Sequence, residues 1–367
     1  MIMKKAIIVF LLVGVFAGGA FAQVEFSGSA HIGIQLQDSP DADVSITTDH
    51  RKYGAPRLDL SASVTRGNYG VRLDTRATGS GLAVRGIHGW VDFNSIVTDN
   101  DSLELSLGQF SSGKWVIQLD SDFDELLFDN ITGFRLVYNT PLQGLSLGAA
   151  FRAEGYNTKE FAENIIFGGT YISPLFNAVF AYDLSQNVRT LFGIDFPMVP
   201  GLPDLSLGFK LLATGLATWD SPGVTLPGGV VEPFSHAGQL TLYQRVGYRV
   251  AQPLNVSVIA SQKFFGAPEI DGVQWMVGPG LSYRNRNLPN LTASIRAMID
   301  NYSHLPSGQL PGPETDFNTK NLTIRPAIEK SLTGPALFYI QYELLLPDFA
   351  PDRAVHTVGI GLEVRAF

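Results

Sequence analysis

Apolar residues fall at every second position along many short segments of the chain, and the charges in those segments fall on the opposite parity. Val24, Phe26, Ala30, Ile32, Ile34 and Leu36 alternate with Glu25, Ser27, Ser29, His31, Gln35 and Gln37. Leu205, Leu207, Phe209 and Leu211 alternate with Ser206, Gly208 and Lys210. Leu291, Ala293, Ile295, Ala297 and Ile299 alternate with Thr292, Ser294 and Arg296. Successive side chains of a strand point to opposite faces, so each segment predicts a strand with one greasy and one polar face. A soluble sandwich has the same rhythm, and the features around the strands separate the two.

Two kinds of connection alternate between these segments. Short ones rich in Pro, Gly and Asn occur at 66–68, 140–144, 173–174, 200–203, 251–253, 287–290 and 332–335, with a somewhat longer one at 94–101. Such residues supply the fixed or positive φ that a reversal needs. Longer polar connections cover 38–56, 111–131, 155–163, 213–236, 265–273, 300–320 and 346–354, with brief members near 79–81 and 184–188. Eight turns interleaved with nine loops join 18 strands. That even number leaves both chain ends on one side, as bacterial outer-membrane barrels have. A missed or invented hairpin changes the count by two, so 16 strands is the alternative. The expected fold is all-β: a transmembrane antiparallel up-and-down β-barrel. No composition break divides residues 23–367, which read as one domain.

Charge parity is the sharper sign of a membrane. With Leu58, Leu60, Ala62 and Val64 facing outward, Arg57 and Asp59 face in. With Val71 and Leu73 outward, Arg72, Asp74 and Arg76 face in. Arg135, Arg152, Arg245, Arg249, Lys263, Arg284, Arg296, Arg325, Glu343, Glu363 and Arg365 follow the same rule. An Arg or Lys facing lipid at the midplane costs about 2–4 kcal/mol, so a bilayer enforces this segregation. Arg85 shares parity with Ile87 and Val91, which places it at the rim or beside a bulge. Tyr53, Tyr69, Trp90, Trp219, Tyr248, Trp275, Tyr283, Tyr302 and Tyr342 lie near predicted strand ends, where interfacial girdles sit.

The first 22 residues read as a cleaved Sec-type export signal. Lys4 and Lys5 precede an apolar run from Ala6 to Phe16, and Ala20-Phe21-Ala22 forms a small-x-small cleavage pattern before Gln23. The sequence has no Cys, which excludes a lipid on Cys and a disulfide framework. Beyond the leader no stretch approaches the roughly 20 apolar residues of a spanning helix. The formal charge is −8, and loss of Lys4 and Lys5 makes it −10. An acidic chain with no basic tract is a poor nucleic-acid binder.

Together these features resemble a Gram-negative outer-membrane porin: a leader, alternating short turns and long loops, and a last strand ending in Phe367. The terminal Phe is similar to the signal read by the barrel-assembly machinery. It departs from the usual pattern, because Val358, Ile360, Leu362, Val364 and Ala366 hold the other parity. A bulge near Arg365-Ala366 would restore the phase. The resemblance implies residence in the bacterial outer membrane among lipid and lipopolysaccharide, and a homotrimer. It matches no subfamily motif.

A barrel of 16–18 strands is wide enough for an aqueous channel. Loop 111–131 is the third long connection. It carries Asp120, Asp122, Asp124, Glu125 and Asp129 among Trp115, Phe123, Leu126, Leu127 and Phe128. In general porins the third loop folds inward, so the resemblance implies a constriction here. The opposing wall is drawn from Arg57, Arg72 and Arg76, with Arg135 and Arg152 nearer the loop's own strands. Facing charges of opposite sign order water and penalise apolar solutes.

Other chemistry finds little support. The six histidines, at 31, 50, 88, 236, 304 and 356, show no paired metal-ligand spacing. Asp49-His50 and Ser303-His304 fall in expected outer loops, but adjacency in sequence is a poor guide to catalytic geometry. The loop acids match no calcium-loop spacing. No enzyme activity, cofactor or metal is expected. The function expected is passive diffusion of small hydrophilic solutes and ions. The alternatives are a substrate-selective channel and an adhesin or structural barrel with a blocked lumen.

Overall fold

A computed structural model describes residues 23–40, 42–49, 55–110, 131–153, 165–184, 189–215, 224–225, 231–232, 238–266, 272–285, 290–301, 320–332 and 335–364. The chain begins with β1 (Gln23–Ser39), and β2 (Ala42–Thr47) folds back on its far end. Next come β3 (Arg57–Arg66), β4 (Tyr69–Thr78), β5 (Gly81–Asn94), β6 (Ser102–Phe110), β7 (Ile131–Asn139), β8 (Leu145–Arg152) and β9 (Ile165–Ile172). They are followed by β10 (Asn177–Asp183), β11 (Arg189–Phe196), β12 (Leu205–Thr214) and the short pair β13 (Val224–Thr225) and β14 (Val231–Glu232). The remainder is β15 (Gln239–Ala251), β16 (Leu254–Phe265), β17 (Val273–Asn285), β18 (Leu291–Asp300), β19 (Asn321–Ser331), β20 (Ala336–Leu346) and β21 (Val355–Val364).

Leaving out β2, β13 and β14, every strand pairs antiparallel with the next in sequence. The last strand returns to the first, from Ala30↔Val364 to Asp38↔His356. The result is a closed barrel of 18 strands, not 16. Closure removes the open edges that a flat sheet of this size would expose. Each turn and loop expected from Pro, Gly and polar content falls between two of these strands.

Two details go beyond the expected layout. The segment 38–56 contains β2, which pairs with β1 from Gln35↔Thr47 onward, above the stretch of β1 that pairs with β3. Arg85 is the extra residue of a bulge, because the β4–β5 register passes from Asp74↔Gly86 to Thr75↔Val84. That bulge flips parity along β5, so Leu82 and Val84 before it and Ile87 after it all stand exposed on one face.

The outer face is the apolar parity. Phe26, Ile32, Ile34, Val71, Leu107, Phe180 and Ile328 are among its exposed large side chains. Tyr69, Tyr248 and Tyr283 stand exposed on it close to the short-turn end. Tyr171, Phe176 and Phe196 form an aromatic cluster at the same end, with centroids 5.2 and 5.7 Å apart. Trp275 and Tyr342 share the outward parity nearer the loop end. Trp90 does not belong to a girdle: it shares the inward parity of His88 and Asp92. Tyr53, Trp219 and Tyr302 lie outside the described residues, as do the leader and residues 365–367.

The β5–β6 turn is locked by one carboxylate. Asp101 accepts hydrogen bonds from the backbone N–H of Ile96 (2.7 Å), Val97 (2.9 Å) and Thr98 (3.2 Å), and from Tyr138 Oη at 2.6 Å. Burial pushes its pKa up, but the bonds from Tyr138, Val97, Ile96 and Thr98 prevail and hold it below the ordinary aspartate value.

Candidate functional site: the lumen wall

The inward parity brings the five arginines expected from sequence onto one arc of wall, β3–β8, and sets a carboxylate beside each. Asp59 takes Arg57 Nε and Arg76 Nε, both at 2.6 Å. Asp74 accepts from Ser61 Oγ and from Arg72 Nε at 2.8 Å, and Arg72 Nη2 also reaches Ser61 Oγ at 3.1 Å. Arg135 Nη2 lies 3.3 Å from Glu104 Oε1, which also accepts from Ser106 Oγ at 2.6 Å. Arg152 Nη2 lies 3.3 Å from Asp183 Oδ2, reaching past the intervening strand β9.

Further round the wall, Arg245 on β15 pairs with Asp195 on β11 at 2.6 Å. Arg325 on β19 pairs with Glu343 on β20, also at 2.6 Å. Lys210 is 2% exposed, with Nζ 4.8 Å from the centroid of the Tyr243 ring. Paired charges of this kind can face a partly wet interior, because each ion keeps a hydrogen-bonded partner when water is scarce.

The wall is not polar throughout. Phe110, Ala150, Ile166, Ala181, Leu191, Leu212, Met276 and Met298 form part of a buried apolar cluster on the inward parity. Most lie in the half of the wall nearer the long loops. Near the short turns, inward side chains stay open to solvent: Arg72 is 47% exposed and Arg249 54%. Charge parity, which marks the arginines and acids of the inner face, does not reveal this dry belt. The signal is there in Ile166, Leu191 and Leu212, which share parity with Gly168, Asp195 and Lys210.

Aromatic side chains also enter the lumen wall. Trp90 on β5 stands opposite Gly70 on β4. His88 lies 6.1 Å from Trp90 and 5.1 Å from Phe110 between ring centroids. The Arg135 guanidinium sits 4.4 Å above the Phe110 ring.

The acids Asp120, Asp122, Asp124, Glu125 and Asp129 lie outside the described residues, as do His50, Ser303 and His304. Among the described residues no cluster of three or more His, Asp or Glu is placed to hold a metal. His31 and His88 face inward, whereas His356 shares the outward parity and bonds Tyr342 Oη through Nδ1 at 2.6 Å.

No protein-family model and no curated protein matches the chain. Solved structures do. Pseudomonas aeruginosa OprD aligns over 93% of this chain and 94% of its own, with 11% identity and a TM-score of 0.54. Acinetobacter baumannii OccAB3 aligns over 94% and 99%, with 12% identity and a TM-score of 0.56. Pseudomonas aeruginosa OccK2 (OpdF), solved in complex with glucuronate, aligns over 93% and 97%, with 10% identity and a TM-score of 0.55. At this identity the likeness is one of fold: the chain is a porin-like β-barrel over nearly its whole described length.

Proposed function

We propose that the protein is an outer-membrane porin, a water-filled channel through which small hydrophilic solutes and ions diffuse passively. The observation that carries this is the closed barrel of 18 strands with exposed aliphatic side chains on one parity and ion pairs on the other. Barrels of 16–18 strands leave room for water, and a lipid-facing surface of this composition suits the bilayer. Residues 1–22 serve as the export signal, and the barrel-assembly machinery inserts the chain beside lipid and lipopolysaccharide. The homotrimer implied by general porins belongs to the same proposal. The protein is not an enzyme.

Within this proposal, Asp120, Asp122, Asp124, Glu125 and Asp129 constrict the channel opposite Arg57, Arg72 and Arg76, with Arg135 and Arg152 beside them. Pairing of those arginines with Asp59, Asp74, Glu104 and Asp183 leaves the loop acids to set the ion preference. A substrate-selective channel is the second reading. The dry apolar belt and the inward Trp90 favour it, since unselective diffusion requires neither, and OccK2 was solved holding one small hydroxylated acid.

Planar-bilayer recording of purified protein tests the channel: stepwise KCl conductance is expected, and silence at all voltages contradicts it. In a salt gradient, the triple change Asp120→Asn, Asp122→Asn, Asp124→Asn should lower cation preference. An unchanged reversal potential removes that loop from the pore.

A further inference from the structure

The Trp90 indole covers Gly70 on the inner wall. A Cβ placed on Gly70 would sit 2.4 Å from Trp90 Cζ2 and 2.6 Å from Cη2, so the indole occupies the space a side chain would take. The same packing recurs at Tyr339 over Gly361, where the ring is 0% exposed and leaves no face for a solute. Trp90 differs in keeping part of its surface open. His88 continues the aromatic wall toward the loop end, and beyond it Phe110, buried at 3% exposure, is covered by Arg135.

The flanks of this aromatic wall are ionic yet balanced. Along the inner faces of β3–β7, Arg57, Arg72, Arg76 and Arg135 stand with Asp59, Asp74, Asp92 and Glu104. Four cations and four carboxylates give a solute ion no net attraction. Arg72, with its side chain 47% exposed, and Glu104, with 17%, offer a donor and an acceptor beside the aromatic face. A sugar ring has the complementary chemistry: hydroxyls that donate and accept around its edge, and an apolar C–H face that stacks on an indole.

We infer that the Trp90 face, between Arg72 on one side and Glu104 on the other, is a binding ledge for a neutral pyranose saccharide. This deepens the porin proposal, on which it rests, by naming the class of solute. The ledge makes the sugar dwell at the wall while its hydroxyls exchange partners along the ion pairs.

Planar-bilayer current in KCl with added maltose tests it, with polyethylene glycol of matching hydrodynamic radius as a size control. The expected result is a saturable fall in current. Trp90→Ala should raise the half-saturating maltose concentration about tenfold and Trp90→Phe less than about threefold. Both variants should keep the heat-modifiable gel mobility of a folded barrel, and each maltose titration is normalised to that variant's own sugar-free KCl current. A fall that is linear and equal to the polyethylene glycol effect overturns the ledge while leaving the porin reading intact. So does an unchanged half-saturation in Trp90→Ala. Absence of any KCl current overturns the porin reading instead. The ledge is then decided by intrinsic fluorescence in detergent micelles. A saturable maltose response that Trp90→Phe abolishes supports it, and a flat titration overturns it.

Discussion

Arg245 Nη2 reaches across a whole strand to Asp195 Oδ1, 2.6 Å away, and the residue lying between them on β12 is Gly208. A side chain at 208 would stand in the path of the guanidinium. The pair therefore depends on a register shared by three strands. Gly208→Leu is expected to destabilise the barrel by about 1–3 kcal/mol through overpacking, read as a lower urea midpoint in vesicles.

Removing the acid alone tests the pair's electrical role. Asp195→Asn takes one negative charge from the lumen wall and leaves the guanidinium in place. The reversal potential in a KCl gradient should shift toward anion preference, with the fold retained. No shift would mean that this part of the wall does not face the conducting path.

Gly70 supports a sharper stability prediction. A Cβ there would meet the Trp90 ring and would also lie 2.7 Å from the Val64 carbonyl oxygen, which cannot swing away. Gly70→Ala should cost about 1–3 kcal/mol. A Cβ on Gly79 would have nothing within 4 Å, which makes that position the matched control. Equal unfolding midpoints for Gly70→Ala and Gly79→Ala would contradict the packing of Trp90 on the wall.

The Asp101 turn gives a pH signature. Its folded pKa lies below the ordinary value, so its stabilisation is complete above the unfolded aspartate pKa and is lost as pH falls through the folded one. Asp101→Asn should therefore lower the melting temperature at neutral pH, with the deficit shrinking in strong acid. Tyr138→Phe should show a smaller deficit with the same trend. A deficit that grows on acidification would contradict the assignment.

Much of this architecture is legible from parity alone. Alternation in segments such as 24–36 and 205–211 marks the strands, and Pro or Gly marks where they reverse. Parity also sends Arg57, Arg72, Arg76, Arg135 and Arg152 inward. It does not reveal their partners: Asp183 and Asp195 meet arginines two strands away, and that offset depends on the cumulative register of the closed sheet. Arg85 looks anomalous in sequence because a bulge shifts phase without leaving a distinctive residue. β2 hides in a polar connection because Val44 and Ile46 are only two apolar positions. Nearness to a strand end suggests a girdle for Trp90, although its parity with His88 and Asp92 points inward.

Lipid itself can be tested on β1, where Ile34 is 56% exposed on the outer parity and Gln35 is its inward neighbour. Ile34→Arg should cost about 2–4 kcal/mol in a bilayer near the midplane, whereas Gln35→Arg should cost far less. Urea unfolding of both variants from vesicles supplies the comparison.

The central physical claim is that adjacent residues of one strand face lipid and water in turn. The chain has no cysteine of its own, so single thiols can be placed at Val71, Arg72 and Leu73 without background. Barrels in vesicles are then exposed to a charged, membrane-impermeant thiol reagent, and to brominated lipids after attachment of a fluorophore. Rapid aqueous labelling is expected at 72 alone, and lipid quenching at 71 and 73. Aqueous labelling at all three positions, or quenching at 72, would contradict the claim.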